Sequence, residues 1–200
     1  MTPIDKLIRE LPGFEQIEVG EVPAGFWTGI GGATAFGGAL RFFASQPGFG
    51  VVCVQDWNTS TGWAASYGEL APNWSSISED AFGNQYLLSS RGDQIAIFWS
   101  ETGEVEMIEA SPFEFVEMIR NDPENTISLP LYQECVARFG RLPLDWHFAL
   151  RVESAVGGLF EVDNIVPMKS GLHMAALGKL ANQLKDMPIG TPLRPVVEEE

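Results

Sequence analysis

His147 and His173 are the only histidines among 200 residues, and Asp145 stands two positions before the first of them. A carboxylate that orients an imidazole is half of a hydrolytic relay, so a hydrolase reading would rest on Asp145 and His147. No GxSxG turn accompanies the pair, and no serine is tied to a base by spacing. Neither histidine belongs to an HExxH sequence or lies near a cysteine pair, the patterns that bind zinc. His173 has Leu172 and Met174 as neighbours in an apolar stretch, the setting of a core or boundary histidine. The sequence assigns no catalytic residue, no metal ligand and no cofactor.

The glycine cluster GIGGATAFGG at 29–38 departs from a dinucleotide-binding turn. Gly29 and Gly31 fit GxGxxG, but Thr34 occupies the third position, no strand precedes the cluster, and the phosphate-binding lysine is missing. Tight turns and close backbone packing account for it. Cys53, within GVVCV, has the setting of a buried strand residue and Cys135 that of a helical one. Two cysteines this far apart build no disulfide framework. The carboxylates are spread over turns and helix faces, and no hydrolytic pair stands out. Their densest run is Glu104, Glu106 and Glu109, continued by Glu114 and Glu117, and this run suits an acidic contact face. Six tryptophans are mostly core material, and one or two at a rim would anchor an interface.

Twenty-seven acidic residues against 12 basic ones give a net charge of −15, which repels nucleic acid and anionic lipid and speeds encounter with a basic partner. Hydrophobic residues make up 45% of the chain and aromatics 11%, the composition of a packed core. The apolar runs are too short to span a bilayer, and the start MTPIDKLIREL lacks a signal-peptide core, so a reducing cytoplasm is expected.

The elements that must position these side chains follow from periodicity. Ile4, Leu7, Ile8 and Leu11 recur at helical spacing up to Pro12-Gly13. Strands are expected at 49–57, 85–89, 94–100 and 104–110, with short Gly-bearing turns joining the last three into an antiparallel meander. In 94–100, Ile95, Ile97 and Trp99 face one side and Ala96 and Phe98 the other, which predicts an interior strand covered on both faces. Ser111-Pro112-Phe113-Glu114 is a capping box opening a helix. Further helices are expected over 131–139, closed by Gly140, and over 170–185, carrying Leu172, Ala176, Leu180 and Leu184. Residues 147–168 read as irregular or extended. Strands followed by helices predict an α+β fold: a central antiparallel meander with helices packed on it and a helical C-terminal part. The organisation is an N-terminal helix and lead-in over 1–25, one domain over 26–185 with its sheet part at 36–125, and a frayed acidic tail from 186.

In order, GGALRFF (37–43), QDWNTSTGWAASYGE (55–69), EDAFGNQYLLS (79–89) and WSETGEVEMIEASPFEFVEMI (99–119) resemble the SUKH-type immunity domains of bacteria. The stretch 131–184 resembles the C-terminal domain of Tdi-type immunity proteins of type VI secretion, with Gly140, Gly157-Gly158, Asn164, His173 and Gln183-Leu184 in matching order. The resemblance implies a non-enzymatic cytoplasmic antidote that binds a secreted toxin and blocks it by occlusion. The Tdi-type relatives are associated with nuclease toxins, and an acidic inhibitor suits a basic nuclease. A general protein-interaction module of the same fold is the alternative. Trp63, Tyr67, Glu104, Glu106 and Glu109 are the expected contact residues.

Overall fold

The computed structural model describes residues 2–17, 22, 27–48, 52–108, 110–187 and 191. Helix α1 (Pro3–Arg9) opens on a reciprocal cap: the Thr2 hydroxyl accepts the Asp5 N–H, and the Asp5 carboxylate accepts the Thr2 N–H. Asp5 also accepts the Gly29 N–H at 2.7 Å, which ties the helix to the glycine cluster.

Seven strands follow one another across a single antiparallel meander. They are β1 (Glu15–Ile17), β2 (Gly32–Ala35), β3 (Leu40–Phe42), β4 (Ser75–Asp80), β5 (Gln85–Leu88), β6 (Ile95–Trp99) and β7 (Glu104–Ile108). The three strands of the expected hairpins are β5, β6 and β7. The strand expected over 49–57 does not form in its described part. Val54–Trp57 is a helical turn, α2, capped by the Cys53 sulfur, which accepts the Asp56 N–H. Residues 49–51 lie outside the described residues. The place beside β3 belongs instead to β4, a serine- and acid-rich strand with no apolar alternation to announce it.

Tyr86, Ile95 and Ile97 look from one face of the sheet into the larger core, with Leu7 and Ile8 of α1. The same core takes Phe115, Val116 and Ile119 of α3 (Pro112–Asn121), Ile127 of α4 (Pro123–Ile127), and Tyr132 and Cys135 of α5 (Leu129–Phe139). Leu87, Ala96 and Phe98 look the other way, into a smaller core with Trp63, Tyr67, Met174, Leu177 and Ala181. The expected two-sided burial of β6 is therefore met. Strands β8 (Trp146–Leu150) and β9 (Ile165–Lys169) form a separate hairpin within the segment expected to be irregular or extended.

Helix α6 (Ser170–Leu184) buries a different face from the one its leucines suggested. His173, Met174, Leu177, Gly178 and Ala181 are buried, whereas Leu172 is 65% exposed. The cause is close approach to the 3-10 turn Trp63–Ser66: a Cβ on Gly178 would stand 2.7 Å from the Ser66 backbone. Asn182 Nδ2 then reaches the Ser66 and Tyr67 carbonyls at 2.9 and 3.1 Å. Glycine stands at 178 because the Ser66 backbone and its Cβ lie directly against it. Among the described residues no helix is long and apolar enough to cross a membrane.

Ser111 and Glu114 close the capping box expected for α3. Ser111→Ala is expected to lower stability by about 1 kcal/mol, and Gly178→Ala by roughly 1–3 kcal/mol through overpacking. Urea denaturation of both variants checks these values.

Candidate functional site

The register of the sheet sets Arg41 of β3 opposite Glu79 of β4, and Glu79 opposite Gln85 of β5. Alternation points all three to the face that carries Phe98, towards β8 and α6. All three are buried, and Glu79 is wholly shut off from solvent. Burying a carboxylate is costly unless charge and hydrogen bonds surround it. Arg41 Nη1 lies 3.1 Å from Glu79 Oε1 and donates to the Leu144 carbonyl at 2.7 Å. Gln85 Nε2 donates to Glu79 Oε2 at 3.1 Å and to the Gly83 carbonyl at 2.9 Å. The other end of that amide accepts from Ser76 Oγ at 2.7 Å and from the Trp57 indole at 2.8 Å.

The two histidines complete the chain. His147 Nε2 lies 3.0 Å from Glu79 Oε2, off the line of a strong hydrogen bond, so the attraction is chiefly electrostatic. Its Nδ1 is 3.1 Å from Nδ1 of His173. Two ring nitrogens at that distance share one proton. With the His147 proton on the Nε2 that faces the carboxylate, its Nδ1 is the acceptor and His173 Nδ1 the donor. Nε2 of His173 is then left as a lone pair, with no hydrogen-bond partner among the described residues. Burial pushes the Glu79 carboxyl up, but the contacts with His147 and the Arg41 guanidinium, with the hydrogen bond from Gln85, outweigh it and hold it low. Burial lowers His147, partly against Glu79, which raises it. His173 is pushed down to about 3, first by burial and then by His147.

The turn DAFGN at 80–84 makes room for this pair. Gly83 has φ +96°, and a Cβ there would meet His147 Nδ1 at 3.0 Å and His173 Nδ1 at 3.3 Å. Asp80 anchors the turn by accepting from the backbone of Phe82 and Asn84 and from the Asn84 amide. Burial nevertheless lifts its carboxyl to about 6.

On its outer side His173 lines a cleft of about 50 Å³, with Asn84, Ser100, Glu101, Glu153 and Phe160 among its walls. Burial, with the charge of Glu101 adding to it, raises Glu153 to about 7. The loop carrying Glu153 and Phe160 is stitched down by Asn164. Its amide donates to the Val152 and Leu159 carbonyls at 2.7 and 2.9 Å, and its oxygen accepts the Val152 N–H. Gly158 is required there, because a Cβ would fall 1.8 Å from the Val152 carbonyl oxygen. The loop leaves Val152, Leu159 and Phe160 exposed.

Of the contact residues expected from sequence, Trp63 and Tyr67 are interior, at 2% and 0% exposure. This corrects their expected place on a contact surface. The Trp63 indole donates to Asn58 Oδ1 at 3.2 Å and the Tyr67 hydroxyl to the Ser100 carbonyl at 2.7 Å. Both rings pack edge-on against Phe98, so aromatic packing fixes them inside. Glu104 and Glu106 are exposed on one face of β7, where Glu106 accepts from the Trp99 indole at 2.9 Å. Glu109 lies outside the described residues. Asp145 does not orient His147; its backbone carbonyl accepts the Ser170 N–H, and Glu79 supplies the carboxylate. Sequence reading missed Arg41, Glu79, Glu101 and Glu153. The one local signal was Gly83-Asn84-Gln85, a glycine followed by two amides, at the entry to a strand.

These elements define an α+β protein: a seven-stranded antiparallel meander with helices packed on it. In fold it is similar to the crystal structure of Atu4351 from Agrobacterium tumefaciens, with a TM-score of 0.57, 16% identity, and coverage of 88% of this chain and 87% of that one. At that identity the likeness speaks for the fold alone. No protein-family model matches the chain, and no curated protein matches it in sequence.

Acid should expose the histidine pair. An unfolded histidine takes up a proton near pH 6.5, whereas folded His173 refuses it until about 3. Its contribution is complete above the unfolded value and is lost as pH falls, at about 1.4 kcal/mol per pH unit. His173→Gln is expected to make the fall in stability between pH 6 and pH 4 shallower by about that slope. Asp80 works in the opposite sense but equally in both proteins, so the difference isolates His173. Urea denaturation at three pH values measures it, and an unchanged slope would contradict a buried neutral ring. Gly83→Ala is expected to cost roughly 1–3 kcal/mol through its backbone conformation alone, more once the imidazoles are displaced, by the same assay.

Proposed function

We propose that this chain is a non-enzymatic immunity protein that binds a basic toxin in the cytoplasm and blocks it by occlusion. The observation that carries the reading is β7. It is the last strand of the sheet, and Glu104, Val105, Glu106 and Met107 are all exposed along it. Carboxylates alternate there with apolar side chains, on a chain of net charge −15. An outermost strand offers backbone hydrogen bonds to an incoming segment, and side chains on alternate faces supply selectivity. Charge on such an edge also discourages pairing with a second copy, so the strand favours a basic partner over itself. The resemblance to SUKH-type and Tdi-type immunity domains points the same way, with a nuclease effector as the toxin class. Carboxylates would then lie where the phosphates of nucleic acid bind, and opposite charge would accelerate capture.

The test is co-expression with the toxin encoded by the adjacent gene. The chain is expected to restore growth, and the association rate of the purified pair to fall by roughly tenfold or more between low and high salt. Glu104→Gln with Glu106→Gln should slow association while leaving the urea midpoint in place. Loss of viability despite co-expression, or an association rate indifferent to salt, would sink the reading.

A further inference from the structure

We infer that the cleft between the Glu153–Phe160 loop and α6 is a receptor for a single cationic side chain, lysine or arginine, presented by a protein partner. The inference rests on the immunity reading for the identity of that partner, but its chemistry is set by the cleft. Glu101, from the turn between β6 and β7, and Glu153, from the pinned loop, stand on its walls. Neither carboxylate forms an ion pair with a lysine or arginine among the described residues. Glu101 is held in place by accepting the Ala155 N–H.

The histidine chain supplies an independent argument. His173 is 3% exposed and lines this cleft, and its Nε2 is a buried polar atom with no hydrogen-bond partner among the described residues. Its Nδ1 is committed to His147, so Nε2 sits on the ring edge turned away from that neighbour. With the His147 proton on the side of Glu79, the Nε2 of His173 is an acceptor. The cleft therefore presents two carboxylates and an imidazole lone pair, a set that asks for a donor-rich cation.

Size and rim agree with one charged group. A space of about 50 Å³ admits an ammonium or the tip of a guanidinium in place of a few waters. Phe160 at the mouth stands 5.0 Å, edge to face, from the buried Phe82 on the cleft wall. Aromatic faces attract cations and shield the pairing from water. Leu159, 63% exposed, and Val152, 49% exposed, extend the rim with apolar surface that a partner would cover. A polar pocket ringed by apolar contacts is the anatomy of an interface anchor point. Burial raises Glu153 first and the charge of Glu101 adds to it, and a cation between the two carboxylates relieves that second part.

The probes are N-acetyl-lysine methylamide and N-acetyl-arginine methylamide, with N-acetyl-glutamine methylamide as the neutral control. Each is titrated into the full chain, and the Ala155 amide, the Phe160 ring and the His173 imidazole are followed by NMR. At least one cationic probe is expected to give saturable shifts at all three, binding roughly tenfold tighter than the control. Glu101→Gln with Glu153→Gln should abolish that preference, and Phe160→Ala, a change at an exposed ring, should weaken it. Equal, non-saturating shifts from all three probes would overturn the inference, as would an unaltered preference in the carboxamide variant. If the cationic probes fail while the chain still protects cells from the toxin, the cleft assignment falls and the immunity reading stands. Selective binding by a chain that protects no cell keeps the cleft and removes that reading.

Discussion

A carboxylate with no access to solvent lies near the middle of the sheet, and much of the second layer exists to make it tolerable. Glu79 is answered by Arg41 across one strand, Gln85 across the next, and His147 from above. An arrangement of this kind is weak evidence for stability, since apolar residues of equal volume often do as well. Its consequence is geometric. Each partner must stand at one position for the others to be satisfied, so the network fixes how β8 and α6 sit on β3, β4 and β5. Removing one member would strand a buried charge or amide, which costs more than the contact itself was worth.

That constraint explains features that otherwise look unrelated. Gly83 adopts a conformation few residues tolerate because two imidazoles occupy the space beside it. Gly178 lets α6 reach the Trp63–Ser66 turn, and the helix presents His173, Met174, Leu177 and Ala181 inward and leaves Leu172 outside. The loop from 151 to 160, locked by Asn164 and Gly158, sets Glu153 next to Glu101 and holds Phe160 at the mouth of the cleft. Gly158, Asn164 and His173 are also among the residues that carry the C-terminal resemblance. In the structure the first two shape one loop and the third lines the cleft beside it.

The sheet itself was legible where local signals were strong. Alternating apolar residues from 85 to 108, broken by Gly-bearing turns, specify β5 to β7, and Ser111-Pro112-Phe113-Glu114 specifies the start of α3. The apolar run through Cys53 misled, because a short apolar stretch suits a strand or a buried helical turn equally. Strand β4 was silent for the opposite reason: SSISED buries serine and carboxylate, which no hydropathy pattern registers. Trp63 and Tyr67 were visible as large aromatics, but whether a ring faces a core or a partner depends on what packs over it, here Phe98 and α6.

The sequence by itself determined the α+β class, the central meander, the two-sided burial of β6 and the excess of negative charge, because periodicity, turn residues and composition act over short distances. Only the tertiary structure decided that Arg41, Glu79, His147 and His173 form one chain, and that Glu101 and Glu153 share a cleft. Those residues are separated by tens of positions, and a buried charge chooses its partner by proximity in space. The register of β3, β4 and β5, and the docking of β8 and α6 upon them, create that proximity, and neither is written in the spacing of the residues concerned.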